Sequence, residues 1–436
     1  MNRDLLVLVV SVAVGLLGRT APARAQSQSP APALQLEDAV HLALTRNERA
    51  KIALLQVAVS RAGVERARSG FLPVLTVGGN DAVRPERDNS PSAPINVATA
   101  SATLTQPILN LPALPLYRQA AQLYEAQEAQ STDDRRTLGF DAAHAFLNVL
   151  TAGAVLAAAA QKLDSAKANL ADTQARAQAQ LTSSNDVTRA EVDLANAARE
   201  VEENRGALES ARVQLALVVN AQVDGALARP ESMLRVASQP IDSVGDLVQL
   251  AVRRRPDLIA THHGAAAAHE LAAEPLYRLA PTLALIGQVL ATSNPSTTTP
   301  WHDETASLSL GWTIYDAGAR YADRHARLAT AAIADLNVSA LERAVGSQVR
   351  SAVALLASAQ AALKQAAVAE QAARQSAEET AILYRQGLAK AIELVDANDQ
   401  RFEAEVSYSE AEFQTAQAYL NLREALGLDA LGTELK

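Results

Sequence analysis

The chain has 436 residues, a formal net charge of −9, no cysteine, and 49% hydrophobic but only 3% aromatic residues. The acidic balance argues against nucleic acid as a partner. The lack of cysteine excludes disulfides and a lipidated cysteine, so stability has to come from packing and assembly. Abundant small side chains favour helices packed closely side by side over a thick globular core.

The first residues predict an export signal. An apolar run of 13 residues (17 − 5 + 1) from Leu5 to Leu17 follows Arg3 and precedes a small-residue site ending at Ala25, which indicates a signal peptide over residues 1–25. The run is shorter than the roughly 20 apolar residues that span a bilayer. No other continuous apolar run approaches this length, so we expect no transmembrane helix in the mature chain.

The rest of the sequence is duplicated. Ala43 lies in the same local pattern as Ala251, at an offset of 251 − 43 = 208, and Asp186 pairs with Glu393, at 393 − 186 = 207. So little drift in length indicates two copies of one architecture. The predicted parts are a first repeat, a linker and a second repeat, at residues 26–226, 227–242 and 243–436.

Each repeat is predicted to open with a helix and a β-hairpin. The helices are expected at about 34–69 and 243–277, and the hairpins at about 71–109 and 281–315. In the second hairpin the residues from 305 to 314 alternate strictly between polar or small and apolar, so one face is apolar. Four strands of about ten residues suit tilted strands that cross a bilayer.

Each hairpin is followed by a very long helix and a return helix. The pattern predicts long helices at about 114–180 and 317–386 and return helices at 187–219 and 394–426. A helix of about 70 residues is roughly 105 Å long. The fold class is therefore mostly α, with duplicated long-helix hairpins and a small membrane β-sheet.

Four strands cannot stand alone in lipid. The two edges of such a sheet would leave backbone groups unpaired, each at a cost of several kcal/mol. Barrels built from a single chain need about eight strands or more. The strands therefore have to be shared between copies of the chain in a closed ring.

Four features in this order resemble one known family. They are the segment 310–320 after the last strand, Tyr384 with Gly387 three residues on, the acidic segment 393–397, and the closing segment 422–427. Together with the duplication they are similar to the outer membrane efflux protein family, the TolC-like channels, over essentially the whole mature chain.

The resemblance implies a homotrimer whose twelve strands, four per protomer, form a β-barrel in outer membrane lipid. An α-helical barrel would continue across the periplasm. Its tapered end would engage a periplasmic adaptor protein and an inner-membrane pump of the resistance-nodulation-division or ABC type. Such a subunit is a passive conduit and not an enzyme, and it needs no cofactor.

The resemblance also implies a gate at the tapered end. Its constriction would be lined by Glu393 and Asp396, and a latch would involve Asp186, Tyr384 and Gly387. The two gate acids are three residues apart and so share a helix face, although a solvated first turn also favours carboxylates by roughly 0.3 to 1 kcal/mol. Asp186 also suits a helix cap, and Tyr384 could equally pack its ring between helices.

The latch departs from the family in two places. The arginine that some members place two residues after the glycine is Ala389 here, and Gln180 replaces the corresponding glycine of the first repeat.

Other kinds of site have little support. His262 and His269 are seven residues apart, but nothing supplies further ligands with zinc-like spacing, so no metal is expected. A second function from a different class is a periplasmic coiled-coil scaffold or adaptor without a pore. The two proline-rich hairpins argue against it.

Overall fold

The computed structural model describes residues 33–83, 96–241, 243–296 and 300–432; the predicted signal peptide lies outside them. The two halves of the chain contain the same series of elements. The first half comprises α1 (Leu36–Arg46), α2 (Glu48–Arg68), β1 (Val74–Val83), β2 (Asn96–Leu109), α3 (Ala113–Gln178) and α4 (Ser184–Val219). A short helix, α5 (Glu231–Ala237), follows. The second half comprises α6 (Val244–Arg254), α7 (Pro256–Tyr277), β3 (Thr282–Thr292), β4 (His302–Gly311), α8 (Ala319–Arg385) and α9 (Ala391–Ala425).

The opening helix of each half is broken into two segments, whereas one continuous helix was expected. Asn47 is extended, with ψ of 139°, and its side chain accepts a hydrogen bond from the Arg49 amide at 2.9 Å, which starts α2. Arg255 is extended because Pro256 follows it, and the residue before proline is disfavoured in the α region. Both breaks end one helix and start the next at the same residue.

The four predicted strands form one antiparallel sheet in the order β1-β2-β3-β4. The two hairpins meet at the β2–β3 pair, where Thr103 lies opposite Gln288. Within the described sheet, β1 and β4 each have a neighbour on one side only. The prediction of two hairpins with open outer edges is confirmed.

The helices form two layers whose order follows the order of the strands. Next to the sheet, α2 packs on α3, α3 on α7, and α7 on α8; towards the opposite end, α4 packs on α3, α3 on α9, and α9 on α8. The long helices α3 and α8 have 66 and 67 residues, or about 100 Å at 1.5 Å per residue. They run from the sheet to a distant tip.

Two apolar clusters at mid-length hold these layers together. The first joins α1, α3, α4 and α9 around Leu138 and Leu215, and the second joins α6, α8 and α9 around Val345 and Leu422. These four buried residues correspond in pairs, since 345 − 138 and 422 − 215 both equal 207. The duplication in the sequence therefore reflects duplicated packing.

Both long helices contain an 18-residue window apolar enough to cross a membrane by length and composition. The prediction of no transmembrane helix in the mature chain rested on continuous apolar runs, whereas in these two windows alanine supplies the hydropathy between polar residues. Each helix is far longer than the roughly 20 residues of a membrane span, and each packs against neighbouring helices.

Candidate functional site at the helical tip

The tip contains two turns of the same construction. In the first, between α3 and α4, the Leu181 amide donates to the Arg176 carbonyl at 2.8 Å; in the second, between α8 and α9, the Leu388 amide donates to the Leu383 carbonyl at 2.9 Å. This six-residue closure is the Schellman motif, which requires a left-handed residue just before the donor. That residue is Gln180 in the first turn and Gly387 in the second.

These two residues differ in how well they suit the conformation. Gln180 has φ of +59° and Gly387 has φ of +74°. Glycine enters this region without a Cβ penalty, whereas a residue with a side chain is strained there. The predicted site residue Gly387 therefore has a conformational role in the turn.

Asp186 and Glu393 each cap the start of a return helix, α4 and α9 respectively. A carboxylate oxygen of Asp186 accepts hydrogen bonds from the Ser183 amide at 3.1 Å and the Thr182 hydroxyl at 2.6 Å. The Glu393 carboxylate accepts from the Lys390 amide at 3.0 Å. The hydrogen bonds from Thr182 and Ser183 lower the pKa of Asp186 below its usual value. Both acids thus close the first turn of a helix.

Asp396 differs from its neighbour. It is exposed, like Glu393, and lies three residues further along α9. Within the described part of the chain its carboxylate has no hydrogen bond or ion pair. Asp396 is therefore the acid of this pair whose charge remains fully available at the tip.

Tyr384 on α8 contacts Arg176 on α3. The tyrosine is only 5% exposed, and the guanidinium carbon of Arg176 lies 4.2 Å from the centre of its ring. Arg176 also donates to the Tyr384 carbonyl at 3.2 Å and to the Asp172 carboxylate at 2.9 Å. A cation over an aromatic face contributes about 0.5 to 2 kcal/mol. This contact joins the last turn of α3 to the last turn of α8.

Within the described chain, the residues predicted for the latch have the following partners. Asp186 forms its hydrogen bonds with Thr182 and Ser183 and not with Tyr384. The basic partner of Tyr384 is Arg176, which the sequence reasoning did not single out.

A second charged contact joins three helices further from the tip. The ammonium nitrogen of Lys162 on α3 lies 3.1 Å from Glu200 on α4 and 3.1 Å from Asp399 on α9. It also lies 4.7 Å from the ring centre of Phe402. Burial alone would lower the pKa of Lys162, but its hydrogen bonds to Asp399 and Glu200 raise it above the usual value. No motif marked this lysine in the sequence.

Asp193 lies beside that contact without sharing in it. Burial raises the pKa of this carboxyl, and the negative charge of Asp399 raises it further, while Lys162 opposes the shift. Within the described residues its carboxylate has no ion pair. Asp193 is therefore a partly buried acid whose ionised form is poorly compensated.

The histidines serve other purposes. His269 lies 3.0 Å from Asp335, and His262 lies 3.6 Å from Glu342, so each pairs α7 with α8. Among the described residues, no group of three or more histidines and acids is placed to hold a metal ion.

The chain was compared with known families, curated proteins and solved structures. The family model described as "Outer membrane efflux protein" matches residues 39–221 and 247–428. None of the curated protein sequences matches the chain.

Several solved structures share the fold. CusC, from a study of folding and transmembrane channel formation, superposes with a TM-score of 0.79 at 16% identity, covering 90% of this chain and 92% of that one. The outer membrane protein VceC from Vibrio cholerae gives 0.76 at 15% identity, with 91% and 96% covered. The open state of the Neisseria gonorrhoeae MtrE outer membrane channel gives 0.76 at 19% identity, with 92% and 91% covered.

The family match spans both halves of the chain. The solved structures combine a helical barrel with a β-barrel, and this chain has the corresponding long helices and four-stranded sheet. The chain therefore belongs to the outer membrane efflux protein family, whose members are outer membrane channels and not enzymes.

Proposed function

We propose that three copies of this chain form the outer membrane duct of a tripartite efflux or type I secretion system. The trimer passively conducts small molecules or proteins from the periplasm to the exterior. A periplasmic adaptor and an inner-membrane pump, of the resistance-nodulation-division or ABC type, load it from below. We further propose that the chain is divided into repeats at 26–226 and 243–436, joined at 227–242.

The observation that carries this proposal is the open sheet. Within the described chain, β1 and β4 have unpaired outer edges, and lipid offers no hydrogen bonds to such edges. Pairing β1 of one copy with β4 of the next removes every edge. Three copies then supply 3 × 4 = 12 strands, an even number within the range of bacterial barrels.

The helical layer supports the same closure. The helices at its two edges near the sheet, α2 and α8, expose large apolar side chains, including Val59 at 73% and Leu336 at 68%. Exposed apolar surface of this kind marks interaction sites. Joining α2 of one copy to α8 of the next would bury these residues in a ring of helices.

The gate in this proposal combines an acidic ring with a latch. Glu393 and Asp396 from three copies would bring six carboxylates together around one axis, which attracts cations and narrows conduction. Arg176 and Tyr384 hold the two hairpins of each copy together. Asp186 and Gly387 support the latch by shaping the turns that carry it.

The alternative is a periplasmic scaffold or adaptor without a pore. The strands argue against it, because alternate residues on β1 and β4 expose a continuous apolar face that a soluble sheet would have to cover. Four of these side chains are 62 to 74% exposed: Leu75, Val77, Leu308 and Leu310.

Membrane fractionation followed by analytical ultracentrifugation separates the two. The channel predicts recovery in the detergent-extracted outer membrane as a trimer. Recovery as a soluble periplasmic monomer would refute it and favour the scaffold.

A further inference from the structure

A cavity of about 410 Å³ lies in the wall of the tip, between α3, α4 and α9. Its volume falls within the range of about 300 to 1,000 Å³ that is usual for small-molecule sites. Two of its walls belong to the helical hairpin of α3 and α4. The third wall is α9, which belongs to the helical hairpin of α8 and α9. It is distinct from the exposed face that carries Asp396, which does not line it.

Two oxygens beside this cavity lack hydrogen-bond partners in the described chain. Asn169 is 8% exposed and Thr173 is fully buried, and both residues line the cavity from α3. No described residue forms a hydrogen bond with the Asn169 amide oxygen or the Thr173 hydroxyl. A buried polar group without a hydrogen bond is unfavourable. Both atoms can accept a hydrogen bond, so they call for a donor in the cavity.

The charged residues that line the cavity are mostly acidic, so they also favour a cationic occupant. Its lining contains Asp186, Asp193 and Asp399 against Arg189, a formal balance of 1 − 3 = −2. Asp399 is paired with Lys162, and Asp186 caps α4. Asp193 also lines the cavity, and among the described residues it has no ion pair. Its carboxylate is therefore available to an occupant.

The rest of the lining is mostly apolar. It includes Ala190, Ile392 and Val395 from α4 and α9, together with the polar Thr188 and Asn196 of α4. A bare metal ion would make no use of these walls, and no cluster of three or more acids or histidines is placed to hold one in the described chain. The lining instead suits a ligand that is both cationic and apolar, with several N–H donors.

We propose that this cavity binds a primary organic ammonium ion with a compact apolar body. The N–H groups of its head donate to the Asp193 carboxylate and, after the buried side chains of Asn169 and Thr173 rotate towards the cavity, to the Asn169 oxygen and the Thr173 hydroxyl. Its hydrocarbon body contacts Ile392 and Val395. Since the occupant touches both hairpins, it holds α9 against α3 and α4. This site is additional to the channel function and does not depend on it.

Calorimetric titration of the detergent-solubilised full-length protein with 2-phenylethylammonium chloride tests the proposal. We expect saturable binding, and none with 2-phenylethanol, which has the same body without the charge. Asp193→Asn removes a charge-assisted hydrogen bond of about 1.5 to 3 kcal/mol, so it should weaken binding at least about tenfold. Thr173→Val, which keeps the shape, should weaken it less.

The matched control is Asp164→Asn on the exposed face of α3, where Asp164 pairs with Lys167 outside the cavity. This variant should bind the amine as the parent does. Absence of saturable binding, equal binding of the alcohol, or unchanged binding by Asp193→Asn would each overturn the proposal. Because titration needs no conduction, a failed site would leave the channel proposal standing, and a protein without channel activity would still report on the site.

Discussion

At the scale of single residues, the contact between Arg176 and Tyr384 uses only the ring face and the backbone carbonyl of the tyrosine. The two variants at this position should therefore differ. Tyr384→Phe keeps both features and should leave single-channel conductance in planar bilayers close to that of the parent. Tyr384→Ala and Arg176→Ala each remove the cation–aromatic contact of about 0.5 to 2 kcal/mol, and both should raise the conductance or the open fraction.

Arg385 provides the control for this comparison. It lies on the same turn of the tip, is exposed, and donates only to the Ala381 carbonyl of its own helix among the described residues. Arg385→Ala should leave conductance unchanged. If Tyr384→Phe opened the channel as much as Tyr384→Ala, the hydroxyl and not the ring would be the latch.

Asp396 is the sharper test of the acidic ring. Glu393 also caps α9, so its loss would mix gating with helix stability, whereas Asp396 has no other partner in the described chain. Asp396→Asn should raise conductance and weaken cation selectivity, because three charges leave the constriction. Reversal potentials across a salt gradient measure this, with Asp164→Asn as the control. An unchanged reversal potential would remove Asp396 from the pore.

The residue-level predictions from sequence were uneven for a physical reason. Local chemistry is readable, so the capping signature at Asp186 and the glycine at Gly387 could be recognised from their neighbours. Contacts across the hairpins are not local. Arg176 contacts Tyr384, which is 384 − 176 = 208 positions away, and Lys162 contacts Asp399, which is 399 − 162 = 237 positions away. Nothing in the sequence around either basic residue indicates its distant partner.

At the scale of elements, the two tip turns differ in the residue that occupies their left-handed position. Gln180 adopts the left-handed conformation that Gly387 adopts in the other turn. Gln180→Gly should therefore stabilise the protein by up to about 1 kcal/mol, and Gly387→Ala should destabilise it by a similar amount. Thermal unfolding followed by helical circular dichroism measures both. A destabilised Gln180→Gly variant would mean that the glutamine side chain contributes contacts that outweigh the strain.

The helix α4 carries a pH-dependent term in Asp193. Because its pKa is raised above the usual 3.8 in the folded chain by burial and Asp399, the folded state holds this proton more tightly than the unfolded state does. Stability is therefore lost as the pH rises through the raised pKa. The charge of Glu200 also raises the pKa of Asp193, whereas the charge of Lys162 lowers it.

Asp193→Asn should accordingly raise the unfolding temperature at neutral pH, and the gain should disappear below pH 3.8. Comparing unfolding temperatures of variant and parent across this range checks the sign. Asp164→Asn should show no such dependence. A variant less stable than the parent at neutral pH would show that ionised Asp193 is well compensated.

Element types followed from the sequence more reliably than element continuity. The change of period from 3.6 to 2 located the four strands, and the long alanine-rich repeats located α3 and α8. The breaks at Asn47 and Arg255 were missed, because the apolar period continues across each of them. The local signals were present, an asparagine that caps α2 and a proline that follows Arg255, but the continuing apolar period masked them.

At the scale of the whole molecule, a single chain is an open structure. Among the described residues, its sheet ends in uncovered edges at β1 and β4. The helical layer near the sheet ends at α2 and α8, and the layer towards the tip ends at α4 and α8. The matching order of strands and helices means that one rotation about a common axis can close all layers at once. The open edges of one chain indicate a ring of copies. The number of copies in that ring is a property of the assembly and is counted by measuring its mass.

Single-channel recording on the purified protein in planar bilayers tests the central claim most directly. We predict small, cation-selective conductance from the parent and a larger, less selective conductance from the Arg176→Ala, Asp396→Asn double variant. Insertion events should come from trimers alone. Conductance that is absent from both proteins, or equal in both, would contradict a channel closed at its helical tip.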